Sequence, residues 1–407
     1  MAGCGQSESE SSSPAEVPVL PAQDELPASE EEPAPGPREA PDFGLGDDEI
    51  EALEALGYVD SAPAENPELR GAQGGSGAAP GVNLYSSRHR ASAVLTDLDG
   101  EVVHRWEDED PQTSWMHVEP LRGGDLLALA RDHHLTRHRR DSSIVWRTRL
   151  RGHHDLAVQA DGRILVLVRQ TQRYTFDGRR LPILADGIAT LTSAGEVEST
   201  VDLFPLLRSY VSSRRIDRIR SRLGTTSARE LARPGSTADV LHTNSIEVLH
   251  RPIPGIAPLG SILLSVRELN RLFVLDPALE EVLWTFGEGE LQGQHDATQL
   301  EGGTILVFDN GVRRNQSRVL EIDPVRREIV WTYEHPDLFT QLRGGAQKLP
   351  NGNVLITESD SGHALEVNLA GEVVWEFWNP DLRGSPPERA VIYRLNRYSP
   401  SFLGVPR

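Results

Sequence analysis

The chain has 407 residues with 41 Lys+Arg against 61 Asp+Glu and a formal net charge of −20, so it lacks the basic excess that nucleic-acid binding requires. Its acidity is uneven, because the first seventy residues hold 18 acids and 2 bases, a balance of −16 that leaves −4 for the remainder. The one cysteine, Cys4, excludes an internal disulfide and a cysteine-rich zinc site, and no apolar run is long enough to span a bilayer as a helix.

The opening Met1-Ala2-Gly3-Cys4 has the form of the end of a bacterial lipoprotein signal. Cys4 is therefore the expected lipidation and membrane-attachment point, in a periplasmic or cell-envelope setting, with the export signal expected upstream of Met1. Residues 1–46 are dominated by Ser, Glu, Pro and Ala and carry too little apolar surface to offset chain entropy, which predicts a disordered acidic tether. Residues 47–80 are expected to form a short helix and a linker. Ile50, Leu53 and Leu56 recur at helical spacing between Asp47 and Tyr58, and a Gly/Ala-rich linker follows from Ala72 to Pro80.

From residue 81 to 407 a turn followed by an alternating strand recurs: Asp99 to Trp106, Ser142 to Trp146, Ala194 to Val197, Leu279 to Trp284, Arg327 to Trp331 and Ala370 to Trp375. Three further short strands fit between successive copies, as in His295 to Leu300, Thr304 to Phe308 and Arg318 to Ile322. Six units of four antiparallel strands predict an all-β fold, a six-bladed β-propeller. The first unit lacks its innermost strand, which Val391 to Leu395 is expected to supply, pairing both edges of the ring. Residues 205–238 do not follow the repeat, and Ile216, Ile219 and Leu223 among many arginines predict a small helical insertion, a lid over one mouth of the channel.

Alignment on the turn glycines Gly124, Gly162, Gly303 and Gly352 yields two columns. Eight residues before the glycine stand Met116, His154, His295 and Gly344, and the fourth unit adds His242 through Leu241-His242-Thr243. His117 is one residue out of register, so period-two alternation turns it to the other face. Seven residues after the glycine stand Arg131, Arg169, Asn310 and Ser359, with Arg267 at the matching place of the fourth unit. In an antiparallel pair the start of one strand lies beside the end of the next, so imidazoles and guanidinium groups meet at one rim of the channel. That combination suits an anion. Asp155 and Asp296 follow two of the histidines and are expected to orient a preceding unit, accept an imidazole proton or cap a turn.

Gly152-His153-His154-Asp155, Leu241-His242-Thr243-Asn244-Ser245-Ile246, Leu264-Ser265-Val266-Arg267, Gln294-His295-Asp296, Phe308-Asp309-Asn310-Gly311 and Leu349-Pro350-Asn351-Gly352-Asn353 occur in one order between Val82 and Tyr398. Together they resemble the arylsulfate sulfotransferases, bacterial periplasmic propellers that need no nucleotide sulfate donor. The resemblance implies that His295 occupies the position of the transiently sulfated histidine and that His154, His242 and Arg267 are its active-site companions. Arg169, Asn310, His153 and Asn244 are the candidate substrate-binding residues, although His154 rather than His153 shares the column. The implied reaction moves a sulfuryl group from a small aryl sulfate donor to a phenolic acceptor through a sulfohistidine, with no cofactor and no metal. Two other classes stay open. One is a histidine-ligated metalloenzyme propeller, disfavoured by the charge of Arg267. The other is a non-catalytic binding or assembly propeller, which the presence of Met116 and Gly344 in the histidine column favours.

Overall fold

Short apolar runs such as Leu126–Ala130 (LLALA) and Ile262–Val266 (ILLSV), bounded by glycine turns, are too short for helices and pair instead as fully buried strands. The computed structural model describes residues 60–87, 90–108, 114–223, 225, 227 and 236–404. The proposed lipidation site Cys4, the tether and the helix over Asp47 to Tyr58 lie outside them.

The described chain is all-β and propeller-like. Five antiparallel sheets of four strands and one of five follow one another, and Ser61–Pro63, Glu388–Ala390 and Leu382–Arg383 form a further sheet of three. In chain order the innermost strands of the first six are Ile392–Tyr398, Trp115–Pro120, Gly152–Val158, Thr243–Val248, His295–Gln299 and Gly345–Lys348. The first of these comes from near the end of the chain and pairs with Val82–Ser87, matching Tyr398 to Val82 and Leu395 to Tyr85.

Neighbouring sheets are stitched together at the inner strands. His154 N–H donates to Met116 Sδ (3.1 Å), Ile246 N–H to Asp155 Oδ2 (3.0 Å), and Ala297 N–H to Ser245 Oγ (3.1 Å). Ala346 N–H donates to Asp296 Oδ2 (2.9 Å) and Leu395 N–H to Thr357 Oγ1 (3.0 Å). Three tryptophans of the recurring motif also join neighbouring sheets. The indoles of Trp146, Trp284 and Trp375, each on the outermost repeat strand of its sheet, donate to Ser193 O, Pro324 O and Leu98 O of the next sheet. Between sheets, apolar faces merge: Leu263 and Val274 of the fourth sheet pack with Ile305 and Val307 of the fifth. Each such side chain contributes roughly 1.5–3 kcal/mol of burial.

Two regions differ from expectation. Gly71–Gly74, assigned above to a linker, is a strand that pairs with Val373–Trp378 as the fifth strand of the sixth sheet. Its sequence GAQG has no alternating pattern, because an edge strand can be held by backbone hydrogen bonds alone. In the third sheet the middle strands Ile164–Phe176 and Arg179–Leu191 extend to 13 residues each. The chain entering the insertion docks on that extension through Phe204, whose ring lies 4.4 Å from Tyr174. Its helix Ser213–Arg222 buries Ile216 and Ile219 against the core shared by the third and fourth sheets. No helix among the described residues is long and apolar enough to cross a membrane.

Candidate active site

The innermost strands are not regular. The register shifts between Trp115 and His117, Gly152 and Leu156, Thr243 and Ser245, His295 and Thr298, and Ile392 and Leu395. His154, His242 and Asp296 take left-handed backbone angles, with φ of 59°, 50° and 53°. A bulge spends an extra residue and re-aims side chains, so two successive residues of a bulged strand can point to the same side. His117 is therefore not turned to the other face. It lies buried beside Asp155 (Nε2 to Oδ1, 3.4 Å) and lines a cavity with Asp155, Asp296 and Arg394.

Two layers result. The first contains the imidazoles. The rings of His154 and His242 lie 4.9 Å apart, those of His153 and His154 5.0 Å apart, and Tyr393 stands 6.5 Å from His154. His295 completes the group, close enough that its proton affinity is depressed first by burial, then by the Arg267 charge, with a further contribution from His242. It is neutral at physiological pH. Its Nδ1 lies 2.7 Å from Asn310 Oδ1 and 3.0 Å from Gly293 O. The Asn310 amide has only one orientation, because its Nδ2 donates to Thr340 O and Arg343 O. Oδ1 therefore accepts, Nδ1 must carry the proton, and the lone pair is left on Nε2. That Nε2 is buried and has no hydrogen-bond partner among the described residues.

The remaining candidates are distributed unequally. His242 Nδ1 lies 2.5 Å from Asp239 Oδ2, a carboxylate that the column argument did not single out. Asp186 stands next to it, accepts Thr243 N–H (2.6 Å), and has its pKa pushed up to about 7 by burial and by the charge of Asp239. His153 faces His154 through its Nδ1 (2.7 Å) and approaches Asp186. Burial, with help from Arg169, lowers the His153 pKa to about 3. Arg169 does not present an open fork, since its Nε and Nη2 are both bonded to Asp132 of the preceding sheet. Asn244 donates through Nδ2 to Gln294 O (2.9 Å), which fixes the peptide leading into His295, while its buried Oδ1 has no hydrogen-bond partner among the described residues. Arg267 is anchored through Nη1 to Glu268 and keeps the rest of its guanidinium without a protein partner among the described residues.

The two column members that are not histidine have steric roles. Met116 supplies the sulfur that accepts the His154 N–H. Gly344 has φ of +134°, and a Cβ there would lie 2.4 Å from the Phe308 ring, whose residue pairs directly with His295. Gly344→Ala should displace Phe308 and with it the strand that carries His295. We expect a loss of about 1–3 kcal/mol in unfolding free energy together with a large drop in turnover. Gly302→Ala, which meets nothing within 4 Å, should change neither; chemical denaturation and turnover of both variants check this.

The second layer is ionic. Arg394 bonds both Asp155 oxygens (3.0 and 3.2 Å) and approaches Asp296 Oδ1 (3.2 Å). Each aspartate receives an N–H from the following sheet, and Asp155 also lies beside His117 of the preceding one. Burial raises both aspartate pKa values, and Arg394 holds them down in part. Arg394→Met leaves two buried carboxylates uncompensated, and about 3–5 kcal/mol of stability should be lost at neutral pH. A group whose folded pKa is raised destabilises the fold once it ionises, so this deficit should shrink as pH falls and the aspartates protonate. Urea unfolding of the variant and the wild type at two pH values measures it.

Among the described residues no three His, Cys, Asp or Glu side chains are arranged to hold a metal ion. Solved structures with similar architecture include a protein of unknown function from Bacteroides caccae (13% identity, TM-score 0.49, covering 73% of this chain and 93% of that one). A streptogramin B lyase (11% identity, TM-score 0.47, 84% and 95% covered) and the Dos1 propeller (10%, 0.39, 71% and 71%) are also similar. No curated protein matches the chain significantly. Residues 117–380, well over half of the chain, match the family described as arylsulfotransferase (ASST), and they include every imidazole and guanidinium of the first layer. The chain belongs to the arylsulfotransferase family.

Proposed function

We propose that this protein transfers a sulfuryl group from an aryl sulfate ester to a phenolic acceptor through a sulfohistidine at His295, without a nucleotide sulfate donor. The six sheets are the blades of a closed six-bladed propeller, and the stitched inner strands support that reading; an experimental structure with a gap between the first and sixth sheets would refute it. The observation that carries the chemistry is the His295 imidazole: neutral, Nδ1–H committed to Asn310, and Nε2 buried with its lone pair unpartnered.

In the first half-reaction the Nε2 lone pair forms an N–S bond as the S–O bond to the aryl group breaks. The electron pair leaves with the phenolate, which takes a proton from the His242 imidazolium. The sulfated ring is then cationic at Nδ1–H, where Asn310 Oδ1 stabilises it, and Arg267 offsets charge on the sulfuryl oxygens. In the second half-reaction His242, now neutral, accepts the phenol proton. The new oxygen attacks sulfur and the N–S electron pair returns to His295. His242 suits this alternation better than His154, because the Asp239 carboxylate holds its Nδ1 and leaves Nε2 to face the substrate oxygen, whereas burial and the neighbouring His242 lower the pKa of His154.

The protein incubated with 4-nitrophenyl sulfate and no acceptor should gain the mass of one sulfuryl group on the His295 peptide. The adduct should disappear when phenol is added. An unmodified peptide after one equivalent of nitrophenol has been released, or an adduct on another histidine, would overturn the assignment.

A further inference from the structure

The helix of the insertion carries Arg214, Arg215, Arg218, Arg220 and Arg222 against a single acid, Asp217. Two of these arginines face a cavity of about 330 Å³ between the helix and the fourth and fifth sheets, together with Arg267 and Arg313. Four guanidinium groups thus line one cavity whose only lining carboxylate among the described residues is Glu268. That carboxylate is already shared, because it pairs with both Arg215 and Arg267. Arg215 is further occupied by Ser236 O, Thr237 O and Asp239 O, which ties the insertion to the segment carrying Asp239. Arg218 and Arg313 are different. Among the described residues neither has a carboxylate partner, and the one side-chain bond of Arg218 is from Nε to Arg214 O (3.4 Å).

The cavity adjoins the reaction centre. Gly293, whose carbonyl lies 3.0 Å from His295 Nδ1, forms part of its wall, and Arg267 belongs to both sites. Arginines facing one another across a partly enclosed space raise its potential. An anion that enters gains from several guanidinium groups at once, with little water to screen it. A neutral aromatic ring has no comparable use for this wall.

We propose that Arg218 and Arg313 form a subsite for a second anionic group on the aryl part of the substrate. The preferred donors and acceptors are then phenols that carry a carboxylate or another acid remote from the oxygen that bears the sulfuryl group. The assignment rests on the sulfotransfer reading for the position of the first anion. Since donor and acceptor occupy the same centre in turn, one subsite selects both. The insertion is accordingly a specificity element: it brings Arg215 and Arg218 to a site whose chemistry resides in the sheets.

The test compares 7-hydroxycoumarin with 7-hydroxycoumarin-3-carboxylate as ligands by calorimetry, and their sulfate esters as donors by fluorescence. Wild-type protein should bind the carboxylate at least about tenfold more tightly, a difference of about 1.4 kcal/mol. The ratio should fall toward one in Arg218→Ala/Arg313→Ala and with increasing salt. Equal affinity for the two ligands in the wild type, or a ratio unchanged in the double variant, overturns the subsite. Transfer from neither ester, with the binding preference intact, would count against sulfotransfer and leave the anion subsite standing.

Discussion

His295→Ala is expected to lower transfer from any aryl sulfate by about a thousandfold or more, while the thermal midpoint moves by only a few degrees. The asymmetry follows from what the side chain touches. Its Nδ1 contacts Asn310 and Gly293, its Nε2 has no hydrogen-bond partner among the described residues, and Asn310 keeps its two bonds to Thr340 O and Arg343 O when the ring is gone. The structural loss is therefore close to that of leaving one buried acceptor, Asn310 Oδ1, without its donor, roughly 1–3 kcal/mol. The lost lone pair has no replacement in the first layer, because His242 is committed to Asp239 and burial depresses the basicity of both His153 and His154. A variant retaining more than a few per cent of wild-type turnover would remove His295 from the nucleophile's role. A collapse of the folded state would show that the ring is structural.

The repeat made much of this site legible in the sequence. Three histidines at equivalent places had to face one region, and Asn310 followed from the companion column by the same periodicity. What the periodicity could not convey is which partner each side chain would meet. Arg169 sits in the column, yet Asp132, one residue past the same column in the preceding sheet, takes up its fork. Asp239 lies three residues before His242, at the end of an insertion that follows no repeat. Only the return of the chain over the extended third sheet, where Leu184 N–H meets Ala238 O, brings it to the imidazole.

Tyr393 and Arg394 were passed over for a different reason: their strand was expected to complete the first sheet, but it comes from near the far end of the chain, so no turn glycine joins it to Val82–Ser87 and neither column includes it. The bulges were invisible as well. Strict alternation would face only one of each successive pair inward, and it is the left-handed residues at His154, His242 and Asp296 that let both layers form. Strain held at such positions is tolerated where surrounding bonds over-determine it, and here each bulge is fastened to the neighbouring sheet.

Asp239→Asn should separate the two half-reactions. The carboxylate accepts the Nδ1 proton of His242 and so keeps the Nε2 lone pair available as a base. An asparagine amide can donate instead, which favours the tautomer protonated on Nε2, useless for deprotonating a phenol. Where the same change is made in a Ser-His-Asp triad, turnover drops by about 10⁴, and a fall of about 10³ to 10⁴ is expected here with a phenolic acceptor. A donor with a good leaving group needs little acid, so sulfation of His295 should persist and the adduct should accumulate rather than vanish. The pH profile should shift too. Asp186 titrates near neutrality because it is buried beside Asp239, and removing that charge lets it ionise at lower pH. The activity limb arising from this coupled pair should therefore move toward acid. A variant that turns over within tenfold of the wild type, or one in which no sulfated enzyme builds up, would mean that Asp239 only holds the insertion in place. Acid–base exchange would then have to pass through His154, whose buried, neutral imidazole is poorly suited to donate a proton.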